Sequence, residues 1–259
     1  MDSRAPLCDP AARGGATVSE DYPRIAPTGV DGLVVSFAAR LDEPANRAAL
    51  ALRAAVDAAR WPEVQETAAT LVSTYLRLDP LADPGPVLAR LRALVDSRDW
   101  RAAALPCGRR LLRIPTCYAP PHAPDLDEAA ALAGLSRAQA VEALASAPLR
   151  VLTIGFAPGQ PYIGELGPEW DIPRLRMLTP RVQPGALTLA IRQLVLFSVP
   201  SQTGWRQVGQ TAARLFDPGA AQPFLLRAGD AVAFPPVSAE RLAELARSQG
   251  GGVSVEALP

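Results

Sequence analysis

The sequence contains no lysine and only one histidine, His122. Its 26 basic residues are therefore all arginines, and 26 acidic residues balance them. The absence of lysine excludes a Schiff-base mechanism, a lysine general base and a P-loop phosphate site. A single histidine excludes a histidine-rich metal site and a pair of catalytic histidines. Because the chain is neutral and has no basic block, we expect no nucleic-acid partner.

Long apolar runs and paired cysteines are also missing. No stretch approaches the roughly 18 apolar residues of a membrane span, and charges and prolines interrupt the first thirty residues, so we expect neither a span nor a signal peptide. Cys8, Cys107 and Cys117 are odd in number and have no C-x-x-C spacing. These cysteines indicate reduced thiols. We predict a cytoplasmic protein with no membrane contact and no metal site.

The first half of the chain predicts an α+β fold. We expect a disordered tail over residues 1–22 and a small α+β domain over residues 23–105. Within that domain the apolar pattern predicts alternating elements: a strand at 33–37, a helix at 44–60, a strand at 70–78 and a helix at 86–97. Residues 100–110, which are rich in arginine and alanine, are interpreted as a linker.

The second half of the chain has a different sequence pattern from the first. A helix pair at 125–133 and 136–145, with Ser136 as N-cap, precedes short apolar runs separated by glycine and proline. Such spacing indicates a barrel or closed sandwich, which we assign to residues 106–240. Residues 241–259 are predicted to hold a C-terminal helix and tail. The short runs lie at 151–154, 186–191, 194–199, 207–208, 213–216, 224–226 and 231–234.

One motif carries a family resemblance. The segment from Ile154 to Tyr162 reads I-G-F-A-P-G-Q-P-Y and resembles the G-F-x-P-G-F-P-Y signature of the family that contains the B component of 5-oxoprolinase, KipI and allophanate hydrolase subunit 1. Further matches follow in order, so that the resemblance covers about residues 24–237. These matches are Gly134-Leu135-Ser136, Ile172-Pro173-Arg174, Gly209-Gln210-Thr211, Leu215-Phe216-Asp217, Pro223 to Leu226 and Ala228-Gly229-Asp230.

The resemblance implies a ferredoxin-like N-terminal domain followed by a cyclophilin-like β-barrel. It also implies two partners, the C and A components of 5-oxoprolinase, which together with the B component hydrolyse 5-oxoproline to glutamate at the expense of ATP. ATP is then expected at the complex rather than in this chain alone. In that chemistry ATP activates the amide carbonyl by phosphorylation, and water then opens the ring.

The sequence departs from the family pattern at several motif positions. Pro121 stands where the family has an acidic residue, and the family histidine falls near Leu144, where this chain has none. Gln160 replaces an aromatic residue. The family's Q-T-G turn reads Gln193-Leu194-Val195, so we expect that turn to be closed or reshaped.

By resemblance, seven residues form the candidate substrate-binding set. The glycines of the motif predict a loop whose backbone N–H groups face an anion, although a tight turn that closes the barrel explains them too. Arg174 is a candidate bidentate anion clamp, and Gln193 a hydrogen-bond partner for an amide carbonyl. Glu165 and Asp171 are the best local general-base candidates, yet no catalytic residue is assigned. The set is Gly155, Phe156, Pro158, Gly159, Tyr162, Arg174 and Gln193.

Two functions remain open. The first is the B component of an ATP-dependent complex that hydrolyses 5-oxoproline or a related lactam or amide, catalytic only together with its partners. The alternative is a non-catalytic binding or regulatory protein of the KipI type, in which the site has degenerated. The lost acid, histidine and glycines favour the second function, whereas the retained motifs are partly structural and discriminate poorly.

Overall fold

The computed structural model describes residues 21–258, and residues 1–20 of the predicted tail lie outside that range. A four-stranded antiparallel sheet comes first, in the order β1-β2-β4-β3. Helix α1 begins after Asp42, whose carboxylate accepts a hydrogen bond from the N–H of Ala45, with Pro44 in the first turn. The bounds are β1 Arg24–Thr28, β2 Gly32–Ser36, α1 Glu43–Ala59, β3 Val64–Ala69, β4 Ser73–Leu78 and α2 Pro84–Asp96.

The connectivity of this first sheet is ββαββα, whereas a ferredoxin-like unit runs βαββαβ. The ferredoxin-like expectation is therefore not confirmed. Strand β1 forms a hairpin with β2 at the sheet edge, and the next strand after α2 joins a different sheet. The sequence analysis missed β1 and β3. The strand predicted to start at residue 70 begins at Ser73, because residues 70–73 form a turn in which the N–H of Thr70 donates to the carbonyl of Ser73.

The large sheet contains nine strands and curls into a half-barrel that fits the expected cyclophilin-like fold. Its order is β15-β5-β14-β7-β8-β11-β10-β13-β6, while β9 and β12 pair separately. The strand bounds are β5 Arg110–Arg113, β6 Thr116–Cys117, β7 Leu149–Ile154, β8 Pro161–Gly164, β9 Thr179–Val182, β10 Ala186–Ala190, β11 Gln193–Leu196, β12 Ser201–Thr203, β13 Arg206–Thr211, β14 Ala231–Ala233 and β15 Ser254–Ala257.

Three helices accompany the large sheet: α3 Leu126–Leu132, α4 Arg137–Ser146 and α5 Ala239–Leu245. The Ser136 cap of α4 is confirmed, because Ser136 and Gln139 form a reciprocal capping box. Strand β15 lies in the segment predicted as helix and tail, where it pairs antiparallel with β5. The runs predicted at 213–216 and 224–226 contain only one isolated bridge, between Phe216 and Phe224.

Both faces of the central strands are buried, which explains why their sequences read as continuous apolar runs rather than alternating ones. One face, with Leu187, Leu189, Leu194 and Leu196, packs into the main core under α3 and α4. The other face forms a smaller core from Val182, Ala186, Ala190, Val195, Phe197 and Trp205.

Within residues 21–258, no helix has the length and apolar character needed to cross a membrane.

Candidate functional site

A cavity of about 310 Å³ lies on the smaller core, beside the turn between β7 and β8. Its walls are mainly aromatic and aliphatic, and its lining contains one arginine and no acidic residue. Pockets of this composition, with a few convergent polar groups, are typical of small-molecule sites. The lining residues are Phe156, Gln160, Tyr162, Arg174, Leu175, Leu178, Val195, Phe197, Gln202, Thr203, Gly204 and Trp205.

The turn at residues 155–160 shapes one wall of the cavity. The N–H of Gly155 donates to the carbonyl of Gln160, and the N–H of Gln160 donates to the carbonyl of Ala157. Gly159 has φ +72°, and a Cβ there would lie 2.8 Å from the carbonyl oxygen of Leu215. Phe156 also has φ 72° and is 78% exposed at the rim. An exposed aromatic residue held in the left-handed region indicates a functional constraint.

Two hydrogen bonds, one on each side of Arg174, fix its segment to residues in and just before strand β13. The N–H of Leu175 donates to the carbonyl of Gly204 at 2.7 Å, and Nη1 of Arg206 donates to the carbonyl of Pro173 at 2.6 Å. The guanidinium of Arg174 stands over the Trp205 ring, 5.5 Å from its centroid. No carboxylate within residues 21–258 forms an ion pair with Arg174. Its charge is therefore available to a ligand.

Arg206, which lies beside the cavity and holds the segment before Arg174, was missed by the sequence analysis. Its side chain is buried, and its Nη2 donates to Oε1 of Glu128 in α3 at 2.9 Å. A buried arginine needs such partners, since an unpaired buried charge is strongly destabilising. Arg206 thus connects α3 to the backbone beside Arg174. Nothing in the local sequence distinguishes it from the other 25 basic residues, because its role depends on burial.

Gln160 is the second residue that the sequence analysis left out of the site. Its side chain is 1% exposed, and its Oε1 has no hydrogen-bond partner within the described part of the chain. A polar atom that is buried without a partner is rare in folded proteins. The sequence marks Gln160 only as a departure from the family motif, whereas its burial beside the cavity is a property of the fold.

The structure brings three of the seven predicted residues to the cavity: Phe156, Tyr162 and Arg174. Gly155, Pro158 and Gly159 belong to the adjoining turn. Gln193 does not line this cavity, because it is the first residue of β11 and lies against Gly164. The chain reverses at Ile191 and Arg192, both with positive φ, so the expectation of a turn reshaped by Leu194 and Val195 was wrong.

Other titratable candidates have structural partners. Glu165 lies 3.8 Å from Arg192 in an ion pair, and Asp230 pairs with Arg110 while accepting a bond from the N–H of Arg227. Cys117 is buried, and His122 is half-buried. No group of three or more histidines, cysteines and acids within residues 21–258 is placed to hold a metal ion.

Burial causes two of the pKa shifts that occur outside the cavity. Burial raises the pKa of the Tyr118 hydroxyl, which donates to the carbonyl of Phe234 at 3.0 Å. Burial also lowers the pKa of the Arg150 guanidinium, and the nearby Glu43 carboxylate acts in the opposite direction. Both groups support packing rather than a ligand site.

Comparison with curated proteins finds three relatives that are each named as the B subunit of 5-oxoprolinase. The chain is 37% identical to the B subunit of 5-oxoprolinase from Escherichia coli O157:H7 over 143 residues, which are 54% of this chain and 64% of that protein. It is 34% identical to the B subunit of 5-oxoprolinase from Bacillus subtilis over 130 residues, which are 50% of this chain and 54% of that protein. The matches therefore span less than two thirds of these relatives.

Solved structures agree on the fold. The crystal structure of TTHA0988 superimposes with a TM-score of 0.66 at 33% identity, covering 80% of this chain and 40% of that one. The K. lactis urea amidolyase gives a TM-score of 0.69 at 16% identity, covering 90% of this chain and 16% of that one, which shows a shared fold alone. A family model described as carboxyltransferase domain, subdomain C and D, matches residues 23–226. The chain therefore belongs to the carboxyltransferase domain, subdomain C and D, family, which its motifs resemble and to which the B subunits of 5-oxoprolinase are related.

Proposed function

We propose that this chain is the B component of an ATP-dependent complex that hydrolyses 5-oxoproline or a related lactam. The names of its relatives support this role, as does the retained G-F-x-P-G motif. The observation that carries the proposal is the cavity beside that motif, where Arg174 stacks on Trp205 with no competing carboxylate. The partners would be proteins like the C and A components of 5-oxoprolinase, and the compartment the cytoplasm.

The cavity suits a small carboxylate. An arginine binds a carboxylate bidentately, and stacking on an aromatic ring holds the guanidinium plane in place. Tyr162 packs edge-on against Trp205, with 6.2 Å between ring centroids, and these rings form an apolar wall for a small ring system. Since the lining contains no acid, nothing repels the anion. We infer that Phe156, Tyr162 and Arg174 contact the substrate, whereas Gly155, Pro158 and Gly159 shape the wall.

ATP does not fit this cavity. A volume of about 310 Å³ with a single arginine offers too little positive charge for a triphosphate, and the chain has no lysine to add. We therefore infer that ATP binds elsewhere in the complex and derive no catalytic step from this chain. Its contribution would be to bind and orient the substrate carboxylate while a partner supplies the activating and basic groups.

Co-expression with candidate C and A components tests the proposal. We expect a stable complex whose ATP hydrolysis rises when 5-oxoproline is added, and no ATP hydrolysis by the isolated chain. The matched control is the same complex with proline, which has the carboxylate and ring but no lactam carbonyl. A stable complex without stimulated ATP hydrolysis by any lactam would overturn the proposal.

One observation favours the alternative, a non-catalytic binding protein of the KipI type. The cavity combines an anion-binding arginine with apolar walls but contains no carboxylate and no imidazole. In that case the chain would bind a partner protein or a small anion without any turnover. Co-purification with a partner outside the 5-oxoprolinase set, together with absent lactam-dependent ATP hydrolysis, would support this second function.

A further inference from the structure

We propose that Gln160 is a specificity-determining residue that recognises the amide edge of a lactam whose carboxylate Arg174 holds. This inference rests on the proposed function, because it takes the same cavity as the substrate site. It adds a polar contact that the family signature does not contain, since that signature has an aromatic residue at this position.

The backbone of Gln160 is fully hydrogen-bonded, whereas its side-chain oxygen is not. Both backbone groups are used within the turn: the carbonyl accepts from Gly155 at 3.0 Å and the N–H donates to Ala157 at 3.1 Å. The side-chain oxygen, in contrast, is buried without any partner in the part of the chain that the structure describes. The turn thus holds the residue firmly while its side-chain oxygen stays without a hydrogen-bond partner.

Another buried amide of the chain shows what a purely structural role looks like. Asn46 is fully buried and uses its whole carboxamide, donating to the carbonyls of Leu71 and Leu152 and accepting from Arg150. The comparison indicates that Gln160 is not needed for internal hydrogen bonding. A buried polar group without a partner destabilises the fold, so its presence at a cavity wall points to a partner that arrives with the ligand.

A lactam complements this carboxamide. Ring closure holds the lactam amide in the cis form, so that its N–H and its C=O lie on the same edge. The side chain of Gln160 offers a C=O and an N–H in reciprocal order, which permits two parallel hydrogen bonds. The terminal torsion of a glutamine is broad, so the amide turns toward the cavity with no backbone change. Leu175, Val195 and Phe197 then surround the ring carbons.

Calorimetry on the complex of the full chain with its partners tests the inference. The three ligands are 5-oxoproline, its N-methyl derivative and the corresponding lactone, which keeps the carboxylate, ring and carbonyl but lacks the N–H. We expect the wild-type complex to bind 5-oxoproline at least about tenfold more tightly than either analogue. The variant Gln160→Met, of similar volume, should bind 5-oxoproline about tenfold more weakly, whereas the lactone, which can accept only one of the two hydrogen bonds, should lose less affinity, so that the preference for 5-oxoproline over the lactone falls.

Thermal unfolding of the same variant separates recognition from packing. Since methionine removes an unpaired polar atom, we expect an unchanged or raised Tm. A lowered Tm with equal loss of both ligands would assign Gln160 a structural role and overturn the inference. The ligand series on the wild-type complex decides the matter even if the variant fails to fold. Equal binding of all three ligands overturns the role of Gln160 alone, whereas binding of none overturns the proposed function as well.

Discussion

Nη1 of Arg150 donates a hydrogen bond to Oδ1 of Asn46 at 2.6 Å and thereby connects the helix of the first α+β unit to strand β7 of the large sheet. Asn46 lies in α1, and its amide also donates to the carbonyl of Leu152 in β7 at 3.1 Å. Strand β7 leads directly into the turn that forms one wall of the cavity. The first α+β unit therefore supports the strand that positions the candidate site, although it contributes no residue to the cavity lining.

Replacing Asn46 with alanine should destabilise the fold by about 2 to 3 kcal/mol. The change leaves the carbonyls of Leu71 and Leu152 without their donor and removes one partner of the Arg150 guanidinium. Chemical denaturation of the Asn46→Ala variant measures the loss. Gln249→Ala, at an exposed amide, is the control and should change stability by less than about 0.5 kcal/mol. Equal effects of the two changes would contradict the supporting role of Asn46.

Gly159 and Gly108 form a matched pair that separates backbone strain from close packing. Both have positive φ, +72° and +74°, but only the Cβ of an alanine at 159 would meet a neighbour, the Leu215 oxygen at 2.8 Å. We expect Gly108→Ala to lose about 1 kcal/mol from the left-handed conformation alone. Gly159→Ala should lose at least about 2 kcal/mol, because the turn must also move. Similar losses of stability in the two variants would show that the close contact with the Leu215 oxygen costs nothing, and would contradict the prediction.

Arg174→Ala should weaken 5-oxoproline binding to the complex by about ten- to a hundredfold while leaving stability nearly unchanged. The predicted affinity loss corresponds to one charge-assisted bidentate contact, about 1.5 to 3 kcal/mol. Its stacking on Trp205 contributes only about 0.5 to 1 kcal/mol at an exposed position. Arg176→Ala, exposed two residues further along, is the control. Lost stability with binding intact would remove Arg174 from the site.

Arg206 should act on the ligand through the position of Arg174. In Arg206→Met the carbonyl of Pro173 loses its donor and Glu128 returns to water, so we expect a loss of about 2 to 3 kcal/mol in stability. Ligand affinity per folded molecule should fall as well, because the segment before Arg174 is released. Glu128→Gln keeps the contact to Pro173 and an oxygen that accepts from Arg206, so ligand affinity should change little and the loss of stability should be smaller than in Arg206→Met. An unchanged affinity in Arg206→Met would contradict the positioning role.

Within the predicted linker, limited trypsin digestion should cut after Arg109 before it cuts after Arg101. The backbone over 103–109 has no helix or strand, and Arg109 is the only arginine in it. Arg101 is held by the carbonyl of Phe37 and by Asp42, and Trp100 beside it is buried, so the start of the predicted linker should resist. Size-exclusion chromatography should then show both fragments still together, because Asn46 and Arg150 join α1 to β7. Cleavage after Arg101 first would contradict this order.

Local signals were sufficient where the interaction that forms an element lies within one turn. The Asp42 carboxylate and Pro44 define the start of α1, and Ser136 with Gln139 define the start of α4, each within a few residues. The G-F-x-P-G run identified the family and located the turn at the cavity. Strands β1 and β3 were missed because their polar, half-exposed sequences show no clear alternation, and only pairing with β2 and β4 makes them strands.

Sequence alone was enough for the family, the α+β class, the two best-capped helices and three residues of the cavity, since each depends on a motif or on contacts close in the chain. Three outcomes required the folded chain: β15 completes the large sheet, Gln193 stands apart from the cavity, and Gln160 and Arg206 belong beside it. Those outcomes depend on burial and on partners distant in sequence, as with Asn46 and Leu152, which are 106 residues apart. Whether a polar side chain is exposed, hydrogen-bonded or buried without a partner depends on what the fold packs around it, and no local sequence pattern encodes that.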